Sequence, residues 1–389
     1  MKRLRDFARR LALGLVLVAP ACPSDGTLAG PADPTDAQTE RETQSAPPPA
    51  APRADASATA EPPAKPALVA LGREIMSTWW EIKVEQSGRE QAARAAMTAA
   101  LDEITRLEDV LSEWRPSSEV SRINDLAGSD QPVSIGPDTY ENMRVGMQIS
   151  ALSGGAFDLS WAAMRGLYRF ERGVEPVLPD PALVKAKRAL VSYKQIAFDP
   201  AARTVRLKKK GMAIGLGGIA KGYALDRAAA ILEQAGFVNY LMFAGGQVQL
   251  HGSREGRAWR IGIKHPRKLD KHIGAFEVHD GSVATAGDYE HAYVIDGRRI
   301  HHIIDPATGY PATRSASVTL VARTGIMADA LDNACFIVGP ERCIKMLAKL
   351  PEEGAEAVII DPELRVFMTP NMQGRVRFDP PLVHGRLPE

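Results

Sequence analysis

A chain of 389 residues that is 45% hydrophobic and 24% charged has the make-up of a globular protein with a sizeable core. Its formal net charge of +1 gives no electrostatic reason to bind nucleic acid or an acidic polymer. Its three cysteines, Cys22, Cys335 and Cys343, make neither a CxxC pair nor a Cys/His cluster, which argues against a thiolate zinc site.

Residues 1–21 read as an export signal. A basic "MKRLRDFARR" precedes the apolar "LALGLVLVA", which is too short to span a bilayer permanently. Two readings of its end are open. Cleavage after Ala21 releases a soluble exported protein, or Cys22 becomes the lipidated first residue of a lipoprotein. A cysteine at that position in so cysteine-poor a chain favours the lipoprotein, while the lack of a leucine at position 19 counts against it. Residues 22–66 are rich in Pro, Ala, Ser, Thr and Asp and poor in large apolar side chains, the composition of a disordered tether. The folded domain is placed at 67–389.

Within it, "STWWEIKVE" alternates as a strand does, with Trp79, Ile82 and Val84 as apolar candidates. The stretch from Arg89 to Trp114 is a long amphipathic helix. A second helix covers "DTYENMRVGMQISALSG" and is closed by Gly154 or Gly155. "YKQIAFDPAARTVRLKKKGMAIGLGG" reads as a hairpin and then a strand feeding a glycine loop, after which "KGYALDRAAAILEQAG" is a helix ended by Gly236. The remainder is mostly strand. Asp296-Gly297 between apolar flanks marks a hairpin, "GIMADALDNACFIVG" is a helix, and "AEAVIIDPELRVFMTP" is a closing hairpin. Runs of strands broken by a few helices give an α+β class in one large domain. Cys335 and Cys343 read as buried small residues rather than a disulfide, although an exported chain could oxidise them.

Three stretches carry chemistry. "GLGGIAKGYALD", residues 215–226, sets glycines and Lys221 at a helix start, where free N–H groups and an ammonium suit a phosphate. It fails as a Walker loop and lacks the ribose-binding acid of a dinucleotide fold. A plain glycine turn with a solvated lysine fits equally well. In "ADALDN", Asp329, Asp332 and Asn333 fall on one helical face, a set of hard oxygen ligands suited to Mg²⁺, against the plainer reading of a solvated acidic face. In "HHIIDPATGYP", strand alternation turns one of His301 and His302 inward and the other outward, where it is either a general base or a surface residue.

Taken in order, "IMSTWW", "LSEWRPSSEVSRIN", "SGGAFDLS", "GLGGIAKGYALD", "SVATAGDYE…HHIIDPATGYP" and "SVTLVA…ADALDN" resemble the ApbE family, the FAD:protein FMN transferases, over roughly residues 70–380. The resemblance implies an α+β, T-fold-related single domain with two lobes and FAD in the cleft between them. It implies Mg²⁺-dependent transfer of FMN from FAD to a threonine of an acceptor protein, such as a subunit of a redox-driven membrane complex, with release of AMP. FAD hydrolysis to FMN and AMP, and FAD binding without catalysis, are the alternatives. The resemblance also implies an exported, lipid-anchored protein on the periplasmic side. Carried over residue by residue, it gives Lys221, Met76, Trp114, Ala156, Phe157, Asp158 and Ile304 to the flavin nucleotide. It gives the Gly218 backbone, Asp329, Asp332 and Asn333 to magnesium. It gives His302 to deprotonation of the acceptor threonine. The chain departs from the pattern at Gly215, where many relatives have aspartate, at Gln247, where they have an acidic residue, and at Asn333, where they have threonine. Gly215 removes a carboxylate that could hydrogen-bond the nucleotide, so weaker FAD binding is expected.

Overall fold

The computed structural model describes residues 66–170 and 173–378; the export segment, Cys22 and residues 22–65 lie outside the described residues. Eight strands form the main sheet, antiparallel throughout and adjacent in chain order. They are β1 (Ala67–Ile75), β2 (Thr78–Gln86), β3 (Tyr240–Ala244), β4 (Gln247–His251), β5 (Gly281–Gly287), β6 (Ser317–Ala322), β7 (Glu356–Ile360) and β8 (Val366–Met368). The helices are α1 (Glu90–Leu111), α2 (Glu119–Asp125), α3 (Pro137–Leu152), α4 (Pro181–Arg188), α5 (Ala220–Gln234), α6 (Gly325–Val338) and α7 (Pro340–Leu347). An antiparallel sheet with helices gathered between its strands is α+β, as the sequence indicates.

Both faces of the sheet are covered. Tyr240, Met242, Ala284, Val318 and Leu320 point into the larger core beneath α1, α3, α5 and α6. Leu241, Phe243, Val248, Leu250, Val283 and Val321 point the other way, onto Trp259, Ile261 and Phe276. Those three belong to a smaller sheet of Trp259–His265, Lys268–Val278 and Arg377–Phe378. A strand buried on both sides loses polar alternation, which is why "YLMFA" and "SVTLVA" are continuous apolar runs. In α1, buried Ala93, Ala96, Met97, Ala100, Leu101, Ile104 and Leu107 recur at three and four residues, and no proline or glycine interrupts them.

Four local expectations change. Trp80, not Trp79, joins Ile82 and Val84 inside, because only residues two apart share a strand face. The Trp80 indole also donates to the Ile75 carbonyl at 2.9 Å. The hairpin Ile196–Asp199/Thr204–Leu207 is present, but Met212–Leu216 is not a strand. There the Asn124 side-chain amide pairs with both backbone groups of Ile214, at 2.7 and 3.0 Å, replacing a neighbouring strand. Helix α1 stops at Leu111, so Glu113 and Trp114 lie in the loop that follows. Finally, Cys335 and Cys343 form a disulfide. Gly339, at φ +81°, breaks the chain between α6 and α7 and folds the two buried cysteines back to a Cα separation of 4.7 Å.

Helices α5 and α6 meet backbone to backbone. A Cβ on Gly222 would collide with the Gly325 carbonyl, and one on Gly325 with the Gly222 carbonyl. The approach is held from three sides. Asp226 of α5 accepts the Gly325 and Ile326 N–H groups at 2.6 and 2.9 Å. Gln247 of β4 donates to the Gly325 carbonyl at 2.8 Å. Asp329 of α6 accepts the Gly222 N–H at 3.0 Å. Gly222→Ala must push these helices apart; overpacking of this kind costs about 1–3 kcal/mol or more. A thermal melt of Gly222→Ala is expected at least several degrees below wild type, and a melt unchanged from wild type would contradict this packing.

Candidate active site

The glycine loop is fixed before α5 begins. Gly215 donates to the Leu159 carbonyl at 2.9 Å, and the Trp161 indole donates to the Gly215 carbonyl at 3.1 Å. Leu216 accepts from Ile219 and Ala220 at 3.0 and 2.8 Å, which turns the chain into the helix. Gly218 lies against Phe157 and Asn333, each 3.4 Å from where its Cβ would stand. The Gly222 N–H, which would close the first helical turn onto the Gly218 carbonyl, turns instead to Asp329. Lys221 is half-buried and folds over the loop, donating to the Gly217 carbonyl at 2.8 Å.

The sequence places Asp329, Asp332 and Asn333 on one face of α6, and the structure turns that face inward. Asp329 and Asp332 are 5% and 4% exposed, so the reading of a solvated acidic face fails. Burial pushes both carboxyls up; Asp329 raises Asp332 further, and the Lys221 ammonium pulls both back. Two buried carboxylates with one nearby ammonium leave unbalanced negative charge, which is costly inside a protein. Asn333 donates to Asp332 at 2.8 Å and to the Asp329 carbonyl at 2.9 Å, and the same amide nitrogen is the Asn333 atom that lies against Gly218. Among the described residues no three His, Cys, Asp or Glu side chains gather as a metal cluster. The two buried carboxylates of Asp329 and Asp332 are hard oxygen ligands, a chemistry that suits Mg²⁺.

The two histidines divide as strand alternation requires. His301 is buried, with Nε2 2.8 Å from the Ala312 carbonyl and Nδ1 accepting the Ile303 N–H at 3.3 Å. This pair of bonds assigns the proton to Nε2 and gives the ring a structural task. His302 keeps an exposed edge and meets His291 edge to face at 5.1 Å. The walls around the His302 ring, then His291, His301 and Lys221, push its pKa well below the usual imidazole range. The lowered pKa favours the neutral, proton-accepting form of the ring. The hairpin Ala292–Ile295/Arg298–His301, turned at Asp296-Gly297 with positive φ at both residues, delivers it. The following DPATG turn is tied by Asp305, which accepts the Ala307 N–H at 2.8 Å, and Ile304 packs against the small cluster of Met164, Leu167 and Val184, which Trp161 and Tyr168 also flank.

The remaining candidates differ widely in exposure and in what they contact. Met76 and Ser77 both hold positive φ in the tight β1–β2 turn, a strained conformation for such residues. The Met76 N–H donates to Glu108 at 3.1 Å. Trp114 is 73% exposed, with the Arg165 guanidinium 4.7 Å from its ring centre, an open aromatic surface for a planar ligand. Ala156 is half-buried and Phe157 buried, the latter's N–H donating to Ser153 at 3.0 Å. The Asp158 carboxylate is fully engaged inside the chain. It accepts the Ser160 N–H and hydroxyl at 2.8 and 2.6 Å and the Tyr193 N–H at 2.7 Å. Its side chain thus holds the 156–160 segment against Tyr193.

Two of the departures change meaning. Gln247 donates to Ser282 and Gly325, a task an ionised acid could not perform. The space beside Gly215 is filled: a Cβ there would collide with the Glu113 carboxylate and lie 3.0 Å from the Ala162 Cβ. Sequence reasoning missed Glu113, Trp161 and Arg165. The motif "LSEW" contains Glu113 and "SGGAFDLS" ends directly before Trp161, but neither stretch gives these side chains a role by spacing alone.

The model of the ApbE family matches residues 76–359. A Klebsiella pneumoniae protein named FAD:protein FMN transferase is 30% identical, over 80% of this chain and 90% of its own. A Treponema pallidum protein of the same name is 33% identical, over 73% and 83%. The Thermotoga maritima ApbE crystal structure superposes with a TM-score of 0.71 at 32% identity, covering 80% of this chain and all of its own. The Vibrio cholerae flavin transferase ApbE gives 0.68 at 25% identity, over 79% and 99%. A glycine loop, a buried carboxylate face and a histidine hairpin meeting at one end of α5 thus have a family context: the chain belongs to the ApbE family.

Proposed function

We propose that this protein transfers FMN from FAD to a threonine hydroxyl of an acceptor protein in a Mg²⁺-dependent reaction, releasing AMP. One observation supports the reading: the Gly222 N–H donates to Asp329 at 3.0 Å and Gly218 lies against Asn333, so the glycine loop adjoins the carboxylate face, with the Lys221 charge felt there and at His302. The Lys221 ammonium and the loop N–H groups of Gly217 and Gly218, just ahead of α5, bind the FAD diphosphate. Trp114 and Met76 take the planar rings, and the 156–158 backbone borders the nucleotide with Ile304. Asp329, Asp332, the Asn333 amide oxygen and the Gly218 carbonyl would hold Mg²⁺, which supplies charge neutralisation on the diphosphate. The threonine oxygen attacks the phosphorus of the FMN half, the bond to the AMP phosphate breaks, and His302 takes the hydroxyl proton. An exposed His302 edge lets a large acceptor approach. The protein acts in this reading as an exported lipoprotein, held at the periplasmic side of a membrane through Cys22.

Measurements on the metal face, the base and the anchor check the proposal. Mg²⁺ is expected to raise the melting temperature of the EDTA-treated wild type. Asp332→Asn should melt higher than wild type without Mg²⁺, because one buried like charge is gone, and should gain nothing from Mg²⁺. EDTA should abolish AMP release, and AMP release unaffected by EDTA would remove the metal from the reaction. His302→Ala is expected to slow transfer far more than it weakens FAD binding. Because the His302 pKa is depressed, the ring stays deprotonated and transfer should hold steady from about pH 8 to about pH 5, through the range where an ordinary histidine would protonate. Loss of rate in that range with the midpoint of an ordinary imidazole would contradict the assigned environment. Cys22→Ser should leave the membrane fraction and appear soluble; its retention in the membrane would argue against a lipid anchor.

A further inference from the structure

Glu113 lies in the loop after α1, with a side chain only 7% exposed. Its carboxylate accepts the Leu216 N–H and faces the Arg165 guanidinium, whose Nε is 3.5 Å away and has no hydrogen-bond partner. A carboxylate offers about four acceptor positions, and one N–H with one long ion pair leaves capacity unused. A buried charge in that condition is unfavourable unless a further donor completes it. The carboxylate abuts the Gly215–Leu216 peptide, the first of the glycine loop, and is the chain neighbour of the open Trp114 ring.

The space beside Gly215 admits one carboxylate. Gly215 does not adopt the left-handed conformation, so its backbone does not demand glycine. What excludes a side chain is Glu113 on one side and Ala162 on the other. The geometry points to Glu113 as a nucleotide-binding residue of this chain, delivering from the α1–α2 loop the carboxylate that position 215 lacks, and making glycine at 215 obligatory. The inference rests on the reading of FAD as substrate. An acceptor-only carboxylate is repelled by the diphosphate, so the groups it fits are neutral donors, a sugar hydroxyl or the adenine amine. The expectation that Gly215 weakens FAD binding is thereby reversed: Gly215→Asp would set a second carboxylate into the first.

A double-mutant cycle tests this. FAD is titrated by flavin fluorescence in EDTA into wild type, Glu113→Ala, Gly215→Asp and the double variant, with a thermal melt of each. Each single variant is expected to lose about ten- to a hundredfold in FAD affinity, the worth of one hydrogen bond to a charged group. The double variant should recover most of that loss. Gly215→Asp binding FAD as tightly as wild type, a double variant no better than Glu113→Ala, or coupling seen in the melts but not in affinity would each overturn the proposal. If Gly215→Asp fails to fold, Glu113→Gln decides, since it keeps the shape and removes the charge. Weaker FAD binding at an unchanged melt supports the proposal, and unchanged affinity overturns it. Parallel titrations with ADP and FMN identify the half of FAD that Glu113 holds; indifference of both to Glu113→Ala would also overturn it. A wild type that fails to bind FAD would instead overturn the substrate reading, a result distinct from an uncoupled cycle in a wild type that binds.

Discussion

Everything in the site depends on how closely α5 approaches α6. Gly222 and Gly325 carry no side chain between the two backbones, and at that spacing the Asp329 carboxylate reaches the Gly222 N–H. The bond does two things. It takes over an amide that would otherwise cap Gly218, and it pins a buried carboxylate next to the Lys221 ammonium. Asp226 and Gln247 hold the same crossing from α5 and from the sheet, so the core of the fold and the geometry of the site are one construction. Packing here is in service of electrostatics: a spacing set by two absent side chains decides where two carboxylates stand.

Those carboxylates are arranged at a cost. A helix face with two buried acids would be more stable if one were apolar, and neither Lys221 nor the Asn333 amide neutralises both. Glu113 is likewise a buried acid, facing the Arg165 guanidinium across 3.5 Å. Sites that keep unbalanced charge in a dry interior bind something that balances it. In the proposed reading, the loop and the Lys221 ammonium would meet a diphosphate, the α6 face would offer oxygens to a divalent cation, and the exposed His302 would face a hydroxyl-bearing partner.

Much of this was legible in the sequence because it follows from local spacing. The i, i+3, i+4 pattern put Asp329, Asp332 and Asn333 on one face, period-two alternation separated His301 from His302, and Asp296-Gly297 marked the hairpin that carries them. The errors came from effects that spacing does not encode. Trp79 and Trp80 are equally apolar, and the register that buries Trp80 is set by pairing with β3. Asn124 replaces a strand partner for Ile214 from ninety residues away. The disulfide depends on a helix break at Gly339. The short helices α2, α4 and α7 had visible start signals in Ser118, Asp180-Pro181 and Gly339-Pro340, but each is too brief to show an apolar period. Glu113 was invisible because its importance lies in what it excludes from position 215.

The central claim is group transfer from FAD to a protein hydroxyl. The most direct measurement is the intact mass of an acceptor carrying an S/T-G-A-S/T-type threonine motif, after incubation with the protein, FAD and Mg²⁺, with AMP quantified in the same tube. The expected result is a gain equal to FMN less one water on the threonine, matched mole for mole by AMP and absent when the threonine is replaced by alanine. AMP accompanied only by free FMN, with the acceptor mass unchanged, would contradict transfer and leave a hydrolase; no AMP and no mass gain would leave a flavin-binding protein without this chemistry.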